Sequence, residues 1–406
     1  MRLAHLGVAA LLPLALGGCR SRVAKQTPQP PASLTLVAVG DILMHEDVKQ
    51  AGAQGEEGLS ALWEDVAPIL RGADLAFANL ETPVAPTSGR PGVPLQFNAP
   101  ASLPGALRAS GFTVLSTANN HAFDQGKRGL HETLERLRAE RLVAIGSGED
   151  RGRAEALQVL ERQGLRVAFL GFTDLFNLDL NRRATEPWVR PLDLDPALQA
   201  VREARTQADL VVVSVHWGNE YQHRPTKRQR DIARVLVAAG CDVILGHHPH
   251  TLQPVELLEA NGRKALVAYS LGNFISNQDR MYRADLFPVA EGDSRDGAAL
   301  KVRFERTATG LGGVRLAEAS VEPLWTENNW GSGATRREIR VIRIAAAEAR
   351  TRAELDRLTD AAEGPNRAQD EAQRRKAILE KQEYLRTLIL RQQRITEVVG
   401  EAFVSR

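Results

Sequence analysis

Short apolar runs, each ending in a polar turn, recur through the first three quarters of the chain. The run Ala208–Val215 carries four valines, and continuous apolar runs of this length predict strands that are buried on both faces. Eight further runs predict strands: Leu34–Val39, Ala73–Ala78, Phe112–Ser116, Leu165–Leu170, Cys241–Leu245, Lys264–Tyr269, Leu300–Phe304 and Val314–Val321.

Longer stretches between these runs predict helices. They are Leu59–Leu70, Leu103–Ser110, Gly129–Glu140, Pro196–Gln207 and Thr226–Ala239. Alternating strands and helices over 406 residues predict an α/β fold, arranged as one large domain or two smaller ones. Two irregular segments, Pro83–Pro104 and Asp174–Leu194, predict long loops, which in compact domains are usually functional or mobile.

The composition changes at about Arg336 to one rich in Ala, Glu, Arg, Leu and Gln. This change predicts two helices, separated at Gly364-Pro365-Asn366, that can pair as an αα-hairpin. Apolar positions in the second helix fall in two pairs with seven-residue steps, Ile378 with Leu385 and Leu388 with Ile395. The pattern fits a coiled-coil helix that binds a partner, and it equally fits a helix that packs on its own domain by one apolar face.

Histidines collect where the predicted strands end. Six of the nine do so: His45, His121, His216, His247, His248 and His250. Neutral imidazole is the commonest metal ligand among side chains, and ligands of α/β sheets bind beyond the carboxyl ends of the strands. The pattern therefore favours a metal site. For the stretch Gly246–His250, a polar loop that only forms hydrogen bonds is the alternative.

Oxygen donors follow three of the same strands. Asp41 and Glu81 come directly after two apolar runs, and Asn120 lies in the turn after a third. Asp41 has a structural alternative, because a carboxylate in that position can cap the next helix. Nitrogen and oxygen donors without sulfur suit Mn, Fe or Zn, and they argue against a structural zinc site built from cysteines.

Composition and charge narrow the functional classes. The formal net charge of +2 gives no case for nucleic-acid binding, and an apolar content of 43% is sufficient for a core. The two cysteines, Cys19 and Cys241, exclude a disulfide framework, and Cys241 reads as a small apolar residue within a strand.

The N-terminus has the features of a targeting segment. Arg2 precedes the apolar stretch Leu3–Leu16, which is too short to span a bilayer, and the stretch ends in Leu16-Gly17-Gly18-Cys19. These four residues resemble the lipobox of bacterial lipoproteins, which implies cleavage before Cys19 and acylation of its sulfur. A plain secretory signal with a chance cysteine is the alternative. Residues 20–33 are polar and contain three prolines, so they predict a semi-extended tether.

Six motifs follow one another between residues 39 and 274: Val39-Gly-Asp41, Asn79-Leu-Glu81-Thr82, Ala118-Asn119-Asn120-His121-Ala-Phe-Asp124-Gln-Gly126, His216-Trp217-Gly-Asn-Glu220, Gly246-His247-His248-Pro-His250 and Ser270-Leu-Gly-Asn273-Phe274. Together they resemble the CapA family of poly-γ-glutamate capsule biosynthesis proteins, which belongs to the calcineurin-like metallophosphoesterase superfamily. The resemblance does not extend to the C-terminal helical region.

The resemblance implies a four-layer α/β/β/α metallophosphoesterase-like sandwich with a C-terminal helical extension. It divides the chain into a lipoprotein signal peptide (1–18), a tether (19–33), a CapA-like domain (34–335) and a helical region (336–406). Carried over by position, Asp41 and His250 hold one metal, and Asn120, His216 and His248 hold the other. Glu81 bridges the two metals, and His121 is the general acid, with Asp124 as its orienter. The residues in or behind the pocket are His45, Asn79, Asn119, Trp217, Glu220, His247 and Asn273.

The function implied is that of a metal-dependent hydrolase in the biosynthesis of capsule, poly-γ-glutamate or another cell-envelope polymer. Two divalent cations, Mn, Fe or Zn, would activate water towards a phosphoester or a bond in an anionic polymer. Cys19 would anchor the protein to lipid on the extracytoplasmic face of a bacterial membrane. The alternative is a non-catalytic accessory subunit that binds an anionic polymer or scaffolds a complex of capsule-synthesis membrane proteins.

Overall fold

Two β-sheets pack face to face and carry helices on their outer surfaces. A computed structural model describes residues 32–54, 58–90, 96–307, 313–330, 336, 338–360 and 367–404, with the side chains of the last segment described from residue 371. The predicted signal peptide and Cys19 lie outside the described residues. Among the helices that are described, none is long and apolar enough to cross a membrane.

The first sheet has eight strands. They are β1 (Ser33–Ile42), β2 (Leu75–Leu80), β3 (Val114–Ser116), β4 (Val143–Ile145), β13 (Asn273–Ile275), β14 (Asp296–Arg306), β15 (Val314–Asn328) and β16 (Ile339–Arg343). The order is β16-β15-β14-β1-β2-β3-β4, and β13 also pairs with β1. Strands β1 to β4 run parallel, whereas β14, β15 and β16 are antiparallel to their neighbours.

The second sheet has six strands. They are β6 (Gln158–Arg162), β7 (Leu165–Thr173), β9 (Leu210–His216), β10 (Val243–His247), β11 (Val255–Ala260) and β12 (Arg263–Ala268). The order is β11-β12-β10-β9-β7-β6, with a parallel centre and an antiparallel strand at each edge. A separate two-stranded ladder joins β5 (Ser147–Gly148) to β8 (Trp188–Val189).

Nine α-helices accompany the sheets in the described residues. They are α1 (Glu46–Ala53), α2 (Ala67–Arg71), α3 (Leu103–Ala109), α4 (Gly126–Ala139), α5 (Arg151–Glu155), α6 (Leu194–Gln207), α7 (Lys227–Ala239), α8 (Ile344–Asp360) and α9 (Arg367–Val399). Short 3₁₀ helices span Gly58–Trp63 and Val289–Arg295.

Three apolar layers confirm the α/β/β/α sandwich. Phe77 of the first sheet and Phe169 of the second lie in one core between the sheets. A second core packs α3 and neighbouring helices against the outer face of the first sheet, and a third packs α6 and α7 against the second sheet. Because the parallel strands are covered on both faces, their sequences read as continuous apolar runs.

Several predicted boundaries differ from the structure. The stretch Leu59–Leu70, predicted as one helix, is a 3₁₀ helix followed by α2, because Pro68 lacks an N–H and begins a new helical segment. Helix α1 was not predicted. Helix α7 begins as predicted, because Thr226 and Gln229 form a reciprocal capping box at its first turn.

The region after residue 336 is only partly helical, which corrects the prediction for this segment. Residues Ile339 to Arg343 form the edge strand β16, and helices α8 and α9 follow it. Buried Ile339 and Val341 alternate with exposed Arg340, a strand pattern hidden by the surrounding helical composition. In α9, buried Leu388 and Ile395 join the core between the sheets, so this helix packs on its own domain.

Candidate metal centre

Strand ends from both sheets meet at one edge of the sandwich. In the first sheet, Asp41 pairs in register with Asn79 on one side and Asn273 on the other. In the second sheet, His216 pairs with His247. The sheets meet where His247 Nδ1 lies 3.0 Å from Asp41 Oδ1. The sequence pattern thus brings into contact polar residues that are far apart along the chain.

A close backbone approach fixes the position of Asp41. The preceding residue, Gly40, lies so near β13 that a Cβ there would be 1.9 Å from the carbonyl oxygen of Gly272. The N–H of Asp41 donates to the same carbonyl at 3.0 Å. Only glycine permits this contact, so the Gly-Asp pair holds the carboxylate rigidly at the strand end.

The turn after β10 has an unusual backbone. His248 and His250 adopt φ values of 96° and 57°, in the left-handed region that residues other than glycine rarely occupy. Such conformations cost roughly 1–3 kcal/mol each and persist where the surrounding structure demands them. Here the turn buries the imidazoles of His248 and His250 beside the carboxyl groups of Asp41 and Glu81.

Asp41 is fully buried and satisfied on both oxygens. Oδ1 accepts a hydrogen bond from Asn79 Nδ2 at 2.9 Å, and Oδ2 accepts one from the His248 N–H at 3.2 Å. His250 Nδ1 lies 3.3 Å from Oδ2. Burial alone would raise the pKa of Asp41, but hydrogen bonding with His247 and then His250 holds it well below its ordinary value. Asp41 is therefore an ionised carboxylate.

Glu81 is the second buried carboxyl group and is only half satisfied. Oε2 accepts from Asn79 Nδ2 at 3.2 Å, whereas Oε1 has no hydrogen-bond partner among the described residues. Oε1 lies 3.5 Å from His216 Nε2 and 3.8 Å from His250 Nε2. Burial, followed by the charge of Asp41, raises the pKa of Glu81 well above its ordinary value. A nearby cation would offset both effects.

His216 and His248 supply neutral imidazoles. Burial, followed by the charge of His248, lowers the pKa of His216 well below its ordinary value. Burial lowers the pKa of His248 to about 4. His216 Nε2 lies 2.9 Å from Asn120 Oδ1, and within the described chain His248 Nδ1 is buried without a partner. At neutral pH both rings can therefore donate lone pairs to a metal.

The donors form two groups that share one carboxylate. Glu81, His216 and His248 bring ligand atoms within 4.8 Å of one another, as do Asp41, Glu81 and His250. Ligands about 2.1 Å from one tetrahedral ion lie roughly 3.4 Å apart, close to the distances between Glu81 Oε1 and its two imidazoles. The unpartnered oxygen of Glu81 and nitrogen of His248, together with the neutral histidines, fit a pair of divalent cations.

His121 lies beside this cluster and is held in place by two hydrogen bonds, one from its ring and one from its backbone. Its Nδ1 is 2.8 Å from Asp124 Oδ2, which also accepts the Phe97 N–H at 2.7 Å. The N–H of His121 donates to Asn119 Oδ1 at 3.2 Å. The Asp124 carboxylate is thus placed to fix one tautomer and leave Nε2 as the reactive nitrogen. The charge of His121 contributes to the lowered pKa of His248, which reflects how near the two rings lie.

The predicted supporting residues fall into two groups. Asn79 bonds to both buried carboxylates, Asn119 Nδ2 donates to Asn79 Oδ1 at 3.2 Å, and Asn273 Oδ1 lies 3.1 Å from His250 Nδ1. Trp217, by contrast, lies outside the predicted pocket. It follows inward-facing His216 on an alternating strand, so its indole faces the α6/α7 side and donates to the Tyr269 carbonyl at 2.9 Å.

His45 lies at the margin of the centre. Its Nδ1 accepts the Asn277 N–H at 3.2 Å, and its ring packs edge-on against Phe97. Burial lowers its pKa to about 4, with further contributions from the charges of His250 and His121. The ring is therefore neutral at pH 7 and lines a cavity of about 370 Å³ with Arg280 and Met281.

Two residues beside His121 were missed in the sequence. The ring of Phe97 packs at 4.7 Å between centroids against His121, and Asn177 Nδ2 lies 3.4 Å from His121 Nε2. Both come from the two irregular segments, which carry no period from which a facing direction could be read. Their placement in long loops was the one available signal.

Comparison with known proteins shows that the sequence of this chain is similar to those of bacterial capsule proteins. Residues 35–278, more than half of the chain, match the family model described as "Bacterial capsule synthesis protein PGA_cap". The chain is 33% identical over 275 residues to the PGA biosynthesis protein CapA of Bacillus subtilis, covering 67% of this chain and 68% of that protein. It is 34% identical over 253 residues to the capsule biosynthesis protein CapA of Bacillus anthracis, covering 60% of each.

A solved structure resembles the chain more distantly. The 5'-nucleotidase precursor of Thermus thermophilus superposes with a TM-score of 0.42 and 17% identity, over 72% of this chain and 54% of that one. The fold assignment rests on the sheets and layers described above. The family match ends at residue 278, so α8 and α9 lie beyond the matched region.

Proposed function

Because the chain belongs to the bacterial capsule synthesis family PGA_cap, we propose that it is a metal-dependent hydrolase in the biosynthesis of a capsule or another cell-envelope polymer. The observation that carries the proposal is the buried pair of donor groups that share Glu81, next to the His121–Asp124 pair. A purely structural polar cluster would not leave Glu81 Oε1 and His248 Nδ1 buried without partners.

The proposed ligands divide as the family pattern implies. Asp41 and His250 hold one divalent cation, His216, His248 and Asn120 hold the other, and Glu81 contributes to both. When bound, two such ions lower the pKa of a water and compensate charge on the attacked group. Asn79 keeps both carboxylates oriented towards the ions through its amide hydrogens at 2.9 Å and 3.2 Å. Asn273 does the same for His250.

The proposed role of His121 is to protonate the leaving group. Its Nδ1 proton is directed to Asp124 Oδ2 at 2.8 Å, so Nε2 carries the transferable proton when the ring is cationic. The carboxylate also stabilises that cation. Phe97 and Asn177 restrict the ring from two sides, which keeps Nε2 in place without supplying a competing acid.

The substrate and the location belong to the same proposal. We infer a phosphoester or another bond of an anionic envelope polymer, because two cations and a histidine acid suit a reaction in which negative charge develops. The Leu16-Gly17-Gly18-Cys19 sequence supports lipid anchoring on the outer face of a membrane. Contact with capsule-synthesis membrane proteins would follow from that location.

A phosphodiester assay tests the proposal. The full-length chain, stripped of metal and then supplied with Mn²⁺, should hydrolyse bis(p-nitrophenyl) phosphate and should lose activity with EDTA. His121→Ala should lower kcat by roughly 10²–10⁴-fold, the usual contribution of a general acid, while Mn²⁺ binding stays intact. The control is His131→Ala, on the exposed face of α4.

Two results would overturn the enzyme assignment. The first is a chain that binds no metal by elemental analysis. The second is a chain that binds metal while His121→Ala leaves polymer assembly intact in cells. The second result would favour the accessory-subunit alternative, in which the same fold binds polymer or organises other proteins.

A further inference from the structure

The turn after β9, residues 217–221, is bonded to the histidine turn after β10. The N–H of Trp217 donates to the His247 carbonyl at 3.0 Å, and the N–H of Tyr221 donates to the Pro249 carbonyl at 2.8 Å. Gly218 and Tyr221 adopt φ values of 90° and 58°. Two turns with left-handed residues are therefore locked together at the mouth of the centre, and Glu220 lies between the two bonds.

Glu220 faces the same imidazoles as the buried carboxylates. A carboxylate oxygen of Glu220 and one nitrogen each of His248 and His250 all lie within 4.8 Å of one another. Glu220 is exposed, whereas His248 and His250 are buried. One of these histidines belongs to each proposed cation position, so Glu220 approaches both positions from the solvent side while Glu81 approaches from the buried side.

The Glu220 carboxylate has no structural task in the described residues. It forms no salt bridge or hydrogen bond to any of them. Its neighbours Trp217 and Tyr221 are held by backbone bonds, so the turn does not depend on this side chain. An acidic side chain kept at a strained turn, without a protein partner and facing two histidines, indicates a role towards a cation.

We propose that Glu220 is an additional metal ligand, which with His248 and His250 closes the solvent side of the two-cation centre. The proposal rests on the proposed function, since it adds a ligand to that centre. A third carboxylate reduces the excess positive charge left by two divalent ions, Asp41, Glu81 and neutral histidines. Because Glu220 is exposed, it can change its position without unfolding the core.

Metal titration of the full-length chain tests this ligand. Mn²⁺ binding is followed by electron paramagnetic resonance of the free ion, in wild type, Glu220→Gln, Glu220→Asp and Glu259→Gln. We expect Glu220→Gln to weaken at least one binding step by roughly 10–100-fold, the loss typical when a residue that supports a metal site is removed. Glu220→Asp keeps the charge and should recover part of the affinity.

The control variant removes an exposed carboxylate at the opposite end of the sandwich. Glu259 pairs with Lys264 near the start of β12, whereas the centre lies beyond the end of that strand. Glu259→Gln should bind Mn²⁺ like wild type. Unchanged affinity in Glu220→Gln, with two Mn²⁺ bound by wild type, would reject the ligand role and leave the proposed function standing. If wild type binds no Mn²⁺, the proposed function itself fails.

Discussion

Asn79 shows how one side chain can organise a whole centre. Its amide hydrogens reach Asp41 and Glu81, and its carbonyl accepts from Asn119. Burial alone would raise the pKa of Asp41, but its hydrogen bonds with His247 and His250 hold that pKa low, whereas burial and then the charge of Asp41 raise the pKa of Glu81. The Asn79 amide donates to both carboxyl groups, and a bound cation would offset their negative charge.

The folding stability of the protein should depend on pH through the carboxylate of Glu132. Its carboxylate accepts from the N–H groups of Thr87 and Ser88 and pairs with Arg136. These contacts outweigh burial and lower its pKa to about 2, from an ordinary 4.5. A depressed pKa means that the stabilisation is complete above pH 4.5 and is lost as the pH falls towards 2.

The matching experiment is Glu132→Gln, measured by urea denaturation from about pH 7 to pH 2. We expect the variant to lose about 1–3 kcal/mol of unfolding free energy at neutral pH, because hydrogen bonds to a charged acceptor are weakened. The difference from wild type should shrink below pH 4.5. Glu135→Gln, on the exposed face of the same helix, should change stability by less than about 0.5 kcal/mol. A difference that is constant with pH would contradict the assignment.

The sequence identifies the candidate metal ligands better than the residues that surround them. Asp41, Glu81 and His216 could be read as candidates because each directly follows an apolar strand, and parallel strand ends meet at one edge. Phe97 and Asn177 could not be read, because loop backbones have no fixed period. The exposure of Glu220 and the orientation of Trp217 likewise depend on how one turn leaves its strand.

Helix α9 is attached to the domain by a buried ionic cluster. Arg391 is fully buried, and its guanidinium bonds to Asp293 and Asp296 at 2.8 Å each. The segment that carries these aspartates also includes Ser294, whose carbonyl accepts from Asn273 Nδ2 at 2.8 Å. Asn273 in turn contacts His250. An element beyond the matched family region is therefore linked to the donor cluster through Ser294, Asn273 and His250.

We expect the substitution Arg391→Met to lower the free energy of unfolding by weakening the attachment of α9. The substitution leaves buried Asp296 without its counter-ion, while Asp293 keeps Arg394 and His223, and removal of one partner of a buried pair costs about 3–5 kcal/mol. Guanidinium chloride denaturation should show a loss of that size. Arg375→Met, at an exposed Glu371–Arg375 pair on the same helix, should lose less than about 0.5 kcal/mol. Equal losses for the two variants would mean that Arg391 does not anchor the helix.

Some strands and helices could be predicted from the sequence, and others could not. Buried strands such as β9 could be predicted because apolar runs with β-branched residues have few other uses. Strand β16 was not predicted, because its short alternation of buried and exposed positions lies next to a segment of helical composition. Helix α1 was not predicted either; it follows the end of β1, which carries Asp41. The C-terminal heptads were consistent with two packings, and the buried side chains of Leu388 and Ile395 favour the one on the domain.

The whole molecule combines a region that the family model matches with elements that lie beyond residue 278. Family membership covers residues 35–278, which contain every proposed ligand and the His121–Asp124 pair. Strands β14 to β16 and helices α8 and α9 extend the first sheet and the core beyond that region. Layer order followed from the resemblance and from strand patterns, and the apolar runs Leu300–Phe304 and Val314–Val321 predicted β14 and β15. Strand β16 required the structure, since the composition around it suggested helices alone.

In the proposed centre, Glu81 is shared between two metal ions. Crystals of the full-length chain grown with Mn²⁺ should give two anomalous scattering peaks roughly 3.5–4 Å apart at the manganese edge, the spacing typical of two-metal sites. One peak should lie against Asp41 and His250, the other against His216 and His248, with Glu81 contacting both. A single peak, or peaks that do not contact Glu81, would show that Glu81 is not shared between two metal ions.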